Sequence, residues 1–355
     1  MTCGREPSNE IIMSEQKMII AVDAAGGEHA PRDIVKGAIK AAQEYDVNIV
    51  LVGNKSILHM LAGHYMNKLN IKIIDAPEVI TYNEPPLQAV RSKPNSPIVI
   101  GINLVRDGAA SAFVSAGNTG AVLCAGLLNL GKIKGIDRPA LSSFLNISPP
   151  TPALLIDAGA NANCHPNNLV QFAQMGSVYT KHILGISTPS IGLLNNGEEE
   201  IKGNRLAQET HKLLKKLNGL NFIGNLEGQD IMKGKANVIV TDGFTGNIVL
   251  KTIEGMGDTL ANVARQASQI FSTAYHLRGR ELLRDIGLGS LVKRVDYTEY
   301  GGAYLMGVNG NIIVSHGRSQ AKTIKNAIGL AKQTVERDIC RIIKEESYEQ
   351  TNRSR

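Results

Sequence analysis

The 355-residue chain has no tryptophan, only 4% aromatic residues and four cysteines, and each scarcity removes a class of function. So little aromatic surface leaves few platforms on which single-stranded nucleic acid could stack. Cys3, Cys124, Cys164 and Cys340 lie far apart with no CxxC spacing. Neither a zinc site nor a disulfide framework is indicated, and the usage fits a reducing cytoplasm. HxxxH and HExxH are both absent, so no metal is expected. No GxGxxG follows a strand, and the run from Gly126 to Lys132 imitates a Walker loop only as far as Ile133, where a magnesium-binding Ser or Thr would stand. No cofactor is therefore expected. Gly, Asn, Lys or Asp interrupts every apolar run short of the roughly 20 residues a spanning helix needs. Any membrane contact would be peripheral.

What is abundant is glycine, 36 residues, in a chain that is 43% hydrophobic and carries a formal charge of only +6. That charge suits an acidic or phosphorylated small partner, or an acidic protein, better than nucleic acid. Short apolar runs (MIIAVDA, VNIVLVG, IKIIDA, SAFVSAG, ALLIDAG, PSIGLLN, NFIGN, NVIVTDG) alternate with helical patterns. Continuous apolar strands separated by helices predict a doubly wound α/β fold with a mostly parallel sheet covered on both faces. Residues 1–17 are polar, lack the apolar core of a signal peptide and are expected to be a disordered extension. Residues 18–344 read as a single catalytic unit. It carries a helical protrusion over about 251–295 and a last helix from about Ser319 to Lys344, followed by a polar tail over 345–355.

Four strand ends resemble one another in two pairs. FVSAGNTGA (113–121) and VTDGFTGNI (240–248) both run strand, glycine, Thr-Gly, helix. VDAAGGEHAP (22–31) and IDAGANANCHP (156–166) both run strand, Asp-Ala, glycine turn, His, Pro. Ligands of open parallel sheets sit at strand carboxyl ends, and the free N–H groups that open a helix favour an anion. All four stretches are therefore expected to face one crevice that binds a phosphate-type ligand. Its candidate binding residues are Asp23, Gly26, Gly27, His29, Ser115, Gly117, Asn118, Thr119, Gly120, Asp157, Asn161, Gly243, Thr245, Gly246 and Asn247. The competing reading is that the glycines only make tight turns and that Asn118, Thr119 and Thr245 cap helices.

Lys202, behind three glutamates and before a glycine, is placed either to neutralise a phosphate or developing oxyanion or to be a solvated charge. Asp23, Asp157 and Asp242 each end an apolar strand, where a carboxylate is costly unless paired or hydrogen-bonded. Asp242 shares its turn with a candidate anion cradle, which suits it to orient a lysine or accept a proton. His29 and His165 fall in the paired Asp-turn stretches and could donate to an anion, while His316 lies in the late glycine-rich turn. From Arg265 to Arg294, six basic and two acidic residues interleave with leucine, isoleucine and phenylalanine. Such a segment serves as a solvated face, a dimer contact, a docking surface or a membrane-surface helix.

Taken in order, VDAAGGEHAP, FVSAGNTGA, GIDRPAL (135–141), DAGAN (157–161), EEEIKGN (198–204), VTDGFTGN and YGGAYLMGVNG (300–310) closely resemble the phosphate acyltransferase family, PlsX, over about residues 18–332. The resemblance implies an α/β/α sandwich of the isocitrate dehydrogenase and phosphotransacetylase type, with no metal. It further implies a homodimer in the cytoplasm, in peripheral contact with the inner face of the cell membrane through the helical segment after Lys251. The implied reaction is reversible formation of acyl-phosphate from acyl-[acyl carrier protein] and inorganic phosphate, feeding bacterial phospholipid synthesis. In it Lys202 and Asp242 would be catalytic, with Arg138 and His29 as added anion contacts. Two alternatives stay open: an acyl-CoA:phosphate acyltransferase, and a membrane-docked scaffold without turnover. Ala25, Glu28 and Tyr304 depart from the family's usual Met, Asp and Pro, and Tyr304 adds bulk where the family has a rigid turn residue.

Overall fold

In the computed structural model, the structure describes residues 17–145, 152–274 and 301–353. Its first half contains β1 (Ile19–Asp23), α1 (Arg32–Glu44), β2 (Asn48–Gly53), α2 (Lys55–Ala62), α3 (Met66–Leu69), β3 (Ile71–Asp75), α4 (Pro86–Ser92), α5 (Pro97–Arg106), β4 (Ala112–Ser115) and α6 (Thr119–Asn129). There follow β5 (Ala140–Leu145), β6 (Ala153–Ile156), α7 (Pro166–Leu184), β7 (Ser190–Leu194), α8 (Arg205–Lys216), β8 (Asn221–Leu226), α9 (Gly228–Lys233), β9 (Val238–Val240) and α10 (Gly243–Ala274). The described chain ends with β10 (Ala303–Met306), β11 (Asn311–Val314), α11 (Ala321–Glu336) and α12 (Ile339–Arg353).

All the described strands join one sheet in the order β3-β2-β1-β4-β11-β10-β5-β6-β9-β7-β8. The first five are mutually parallel, as are the last four. β10 is antiparallel to β11 and β5, and β5 is antiparallel to β6. The two parallel halves therefore run in opposite directions and meet at an antiparallel centre. The α/β/α sandwich expected from the sequence is present, with this reversal at its middle.

Alternate residues of each strand enter opposite cores. Ile20, Val22, Val114, Leu154, Ile156, Val238 and Met306 face the layer of α1, α7 and α11. Ala21, Phe113, Leu155, Ile239, Leu305 and Ile312 face the layer of α5, α6 and the opening of α10. Each of these Val, Leu, Ile, Phe or Met side chains, fully buried, is worth about 1.5–3 kcal/mol, and burial on both faces is why the strands read as unbroken apolar runs. Gly37 lets α1 approach α11: a Cβ there would lie 2.7 Å from the Ala321 carbonyl oxygen.

Four local expectations change. Tyr304 lies not in a loop but in β10, 1% exposed, stacked on Tyr179 at 5.3 Å with its hydroxyl donating to Asn311. β5 escaped notice because ALSSFL puts two serines in mid-strand. The terminal helix is two helices, broken where Asp338 takes φ 51°, and helix continues to Arg353 through the expected tail. The helix expected to open at Thr245-Gly246 and the helical pattern after Lys251 are one continuous helix, Gly243–Ala274. Residues 1–16 of the expected extension, and 275–295 of the expected protrusion, lie outside the described residues.

Candidate active site

The four similar strand ends come together as two pairs, but each pair takes one stretch of either kind. At the end of β1, the buried Asp23 Oδ1 accepts the amides of Ala25 (3.0 Å) and Gly26 (2.9 Å), and Oδ2 accepts the Ser115 hydroxyl (2.7 Å). Ser115 Oγ in turn accepts the Gly117 amide at 3.0 Å. A Cβ on Gly26 would sit 2.6 Å from the Gly117 nitrogen, so only glycine lets the two turns touch. Asn118 caps α6, its Oδ1 accepting from Ala121 while its Nδ2 donates to the Thr81 carbonyl. The amides of Thr119 and Gly120, the first two residues of α6, have no protein acceptor among the described residues.

The second pair is built on Asp157, which is completely buried at the end of β6. Its Oδ1 accepts the amides of Leu141, Gly159 and Ala160, and its Oδ2 accepts the Asn161 amide and side-chain Nδ2, all at 2.8–3.1 Å. Burial pushes the Asp157 carboxyl up, against these donors. All five neighbours donate, so the shell offers no acceptor for a carboxyl proton and fits the ionised form. Asn161 receives the Gly243 amide at 2.8 Å, and a Cβ on Gly246 would overlap the Asp157 carbonyl oxygen. The Asp157 turn thus fixes where α10 begins.

Between α6 and α10, over the middle strands, lies a cavity of about 280 Å³ lined by Thr119, Gly159, Asn247, Lys251, Glu254 and His316, among others. Asn247, Leu250, Lys251 and Glu254 follow the i, i+3, i+4, i+7 spacing of one helix face. The Lys251 ammonium lies 2.9 Å from Glu254 Oε2 and 2.6 Å from His316 Nε2. His316 Nδ1 faces the Arg318 amide at 3.1 Å, and Glu254 is only 5% exposed. Burial lowers the His316 pKa, with Lys251 and Arg318 adding to the shift and Glu254 and Glu28 opposing it.

A second cavity of about 370 Å³ includes Asp242, Thr245 and residues of the loop after β7 in its lining. Thr245 and Asn247 are roughly 200° apart around α10, so its first turn separates the two cavities. Both Asp242 oxygens accept from Thr245, one from the amide and one from the hydroxyl, each at 2.9 Å. Asp242 is therefore the cap of α10. Among α10's opening amides, those of Gly243 and Thr245 are already bonded, so side chains face the central cavity.

Of the expected residues, Thr119 and Asn247 line the central cavity, whereas Asp242 and Thr245 line the second. Asp23, Gly26, Ser115, Gly117, Asn118, Asp157, Asn161, Gly243 and Gly246 brace the turns behind them. Gly27, at φ +110°, passes close to the Gly317 carbonyl, and Gly120 packs on Pro86. His29, Arg138 and Lys202 are exposed. The Lys202 amide donates to Glu199 and its carbonyl accepts from Asn195, with no ion pair to Asp242 among the described residues. Cys164, near Asp157, Asp242 and Arg138, is pushed up to about 11, chiefly by burial. Burial thus disfavours the thiolate that a nucleophilic cysteine needs.

Sequence reading missed Tyr82, Lys251 and Glu254. The Tyr82 hydroxyl donates to the Ala116 carbonyl at 2.7 Å across 34 residues, a contact with no local signature. The helical spacing from Asn247 to Glu254 was legible and would have pointed to Lys251.

Residues 18–342 match the family described as fatty acid synthesis protein. The chain belongs to this family. It is 58% identical to the phosphate acyltransferase of Dehalococcoides mccartyi over 94% of this chain and 96% of that relative. The phosphate acyltransferase of Pelotomaculum thermopropionicum is 48% identical over 90% and 92%. In fold, the chain resembles a phosphotransacetylase from Streptococcus pyogenes (TM-score 0.56, 19% identity, 91% of this chain and 95% of that one). It also resembles a branched-chain phosphotransacylase from Enterococcus faecalis (TM-score 0.56, 13% identity, 90% and 99%). Family membership makes the chain an acyltransferase.

Proposed function

We propose that the chain forms acyl-phosphate from acyl-[acyl carrier protein] and inorganic phosphate, reversibly, and so feeds phospholipid synthesis. The observation that carries this reading is the central cavity, lined by Thr119 at the open N-terminus of α6 and by the polar side chains Asn247, Lys251 and Glu254 of α10. The free amides of a helix N-terminus hold an anion without a metal. A phosphate oxygen attacks the thioester carbonyl carbon, the C–O bond forms, and the tetrahedral oxyanion collapses with cleavage of C–S. The proton of the phosphate hydroxyl ends on the departing thiolate, so no net acid or base is consumed. Holding phosphate desolvated beside the carbonyl supplies much of the acceleration.

In this scheme Lys202 reaches the oxyanion from the loop after β7. Asp242, across α10's first turn from the central cavity, holds α10 in place and orients Lys202, and Arg138 and His29 are outer anion contacts. Asp23 and Asp157 keep the glycine turns in shape. Residues 18–344 act as one catalytic unit in a homodimer, on the cytoplasmic side, with peripheral membrane contact through the helical segment after Lys251. Among the described residues no helix is long and apolar enough to cross a membrane. The membrane contact is tested by anionic-vesicle flotation of Leu282→Glu and Leu283→Glu; both variants floating like the parent would remove that assignment.

Purified protein given palmitoyl-carrier protein and phosphate should release free carrier thiol. Release that does not depend on phosphate would overturn the proposal. Faster turnover with palmitoyl-CoA at equal concentration would shift it to the acyl-CoA reaction.

A further inference from the structure

Among the described residues that line the central cavity, Lys251 is the one lysine or arginine, and a neighbouring carboxylate holds it. Its buried neighbour Glu254 accepts one ammonium hydrogen at 2.9 Å. The ring of His316 is closer still, its Nε2 2.6 Å from the ammonium. An ammonium can only donate, and two N–H donors at that separation would repel, so Nε2 accepts from Lys251. Glu254 and His316 thus take two of the ammonium's hydrogens and leave the third to point into the cavity that Thr119 also lines.

We infer that Lys251 is a catalytic residue that binds the reacting phosphate in the central cavity, and that Glu254 and His316 are positioning residues that hold its ammonium there. The inference rests on the phosphate-acyltransfer reading and assigns its anion to one cavity and one lysine. It also assigns the phosphate to Lys251 rather than to Lys202, which is exposed and lies beside the second cavity. Pre-positioning matters because an ammonium already oriented by a buried carboxylate does not reorganise when charge develops. Glu254 lines the same cavity, so its carboxylate serves an anion only by restraining the cation it holds.

The test uses the full-length protein and two readouts: steady-state kinetics with each substrate varied, and binding of inorganic phosphate alone followed by ³¹P line broadening. Lys251→Met should raise the phosphate KM and weaken phosphate binding about tenfold or more, the size of a lost charge-assisted hydrogen bond. The KM for the thioester should stay within about twofold. Lys251→Arg should recover most of the loss. Removing the lysine alone strands a buried carboxylate, so Lys251→Met with Glu254→Gln is the second variant and should fold while showing the same phosphate defect. Lys202→Met should lower kcat and leave phosphate binding unchanged. The inference is overturned if the folded double variant binds phosphate like the parent, or if the binding loss follows Lys202 instead. If the parent binds phosphate through Lys251 yet releases no thiol, the acyltransfer reading fails while the phosphate site stands.

Discussion

Replacing Asp157 by Asn tests whether its carboxylate organises the second half of the site. The amide keeps one oxygen. Placed at Oδ1, that oxygen still accepts from Leu141, Gly159 and Ala160, but the new NH₂ then faces the Asn161 amide and Nδ2, both donors at 2.8 Å. Asn161 Nδ2 keeps its second bond to the Pro139 carbonyl, so the chief loss is the buried Asn161 amide together with weaker bonds to a neutral oxygen. Leaving a buried donor unmet costs about 1–3 kcal/mol, and exchanging a charged acceptor for a neutral one adds a comparable amount, giving about 3 kcal/mol in all. Asp23→Asn is the internal control. Its new NH₂ faces the Ser115 hydroxyl, which can turn to accept it, so the cost is about 1 kcal/mol. At about 2.1 cal/mol/K of unfolding entropy per residue, these become a fall in Tm of about 4 °C against about 1 °C. With no tryptophan in the chain, far-UV circular dichroism is the appropriate probe. Equal shifts for the two variants, or no shift for Asp157→Asn, would refute the reasoning. Because the Asp157 turn seats Gly243, the variant should also lose acyl transfer below its Tm.

Three further outcomes follow from the geometry. Asp242→Asn retains an oxygen for the Thr245 amide and so should keep the parent's Tm, whereas Asp242→Ala loses the cap and about 1 kcal/mol; thiol-release rates for the two then separate capping from charge. Gly246→Ala drives a methyl into the Asp157 carbonyl and should displace the start of α10, with activity lost more completely than helix content by circular dichroism; an active variant would contradict it. Lys93 first, then the Thr81 amide and hydroxyl, hold Glu84 down from 4.5 to about 2. Its contribution is present above pH 4.5 and lost as pH falls toward 2, so the stability gap between parent and Glu84→Gln should close over that range in parallel denaturation curves.

Local chemistry made much of this legible. Apolar runs of strand length, glycine at the turns and Asp at strand ends specify both-faced burial and tight strand-to-helix connections, and they require no knowledge of distant residues. They placed the mostly parallel sheet and the turns around Ser115, Asp157 and Asp242. They did not place Ala140–Leu145 as a strand, because its paired serines break the apolar signal and its pairing with Tyr304 spans more than a hundred residues.

The sequence by itself determined the class of fold, the four anion-suited strand ends and the family. Tertiary structure decided which of those ends meet. Likeness in sequence groups Gly-x-Thr-Gly with Gly-x-Thr-Gly and Asp-Ala with Asp-Ala, yet space pairs one of each, because Gly26 fits only against Gly117 and Gly243 only against Asn161 and Asp157. It also decided that the opening of α10 turns Asp242 to one cavity and Lys251 to another. The physical reason is reach: strand and turn signals act over a few residues, whereas the opposed halves of this sheet, and the cavity where they meet, are set by packing between residues far apart in the chain.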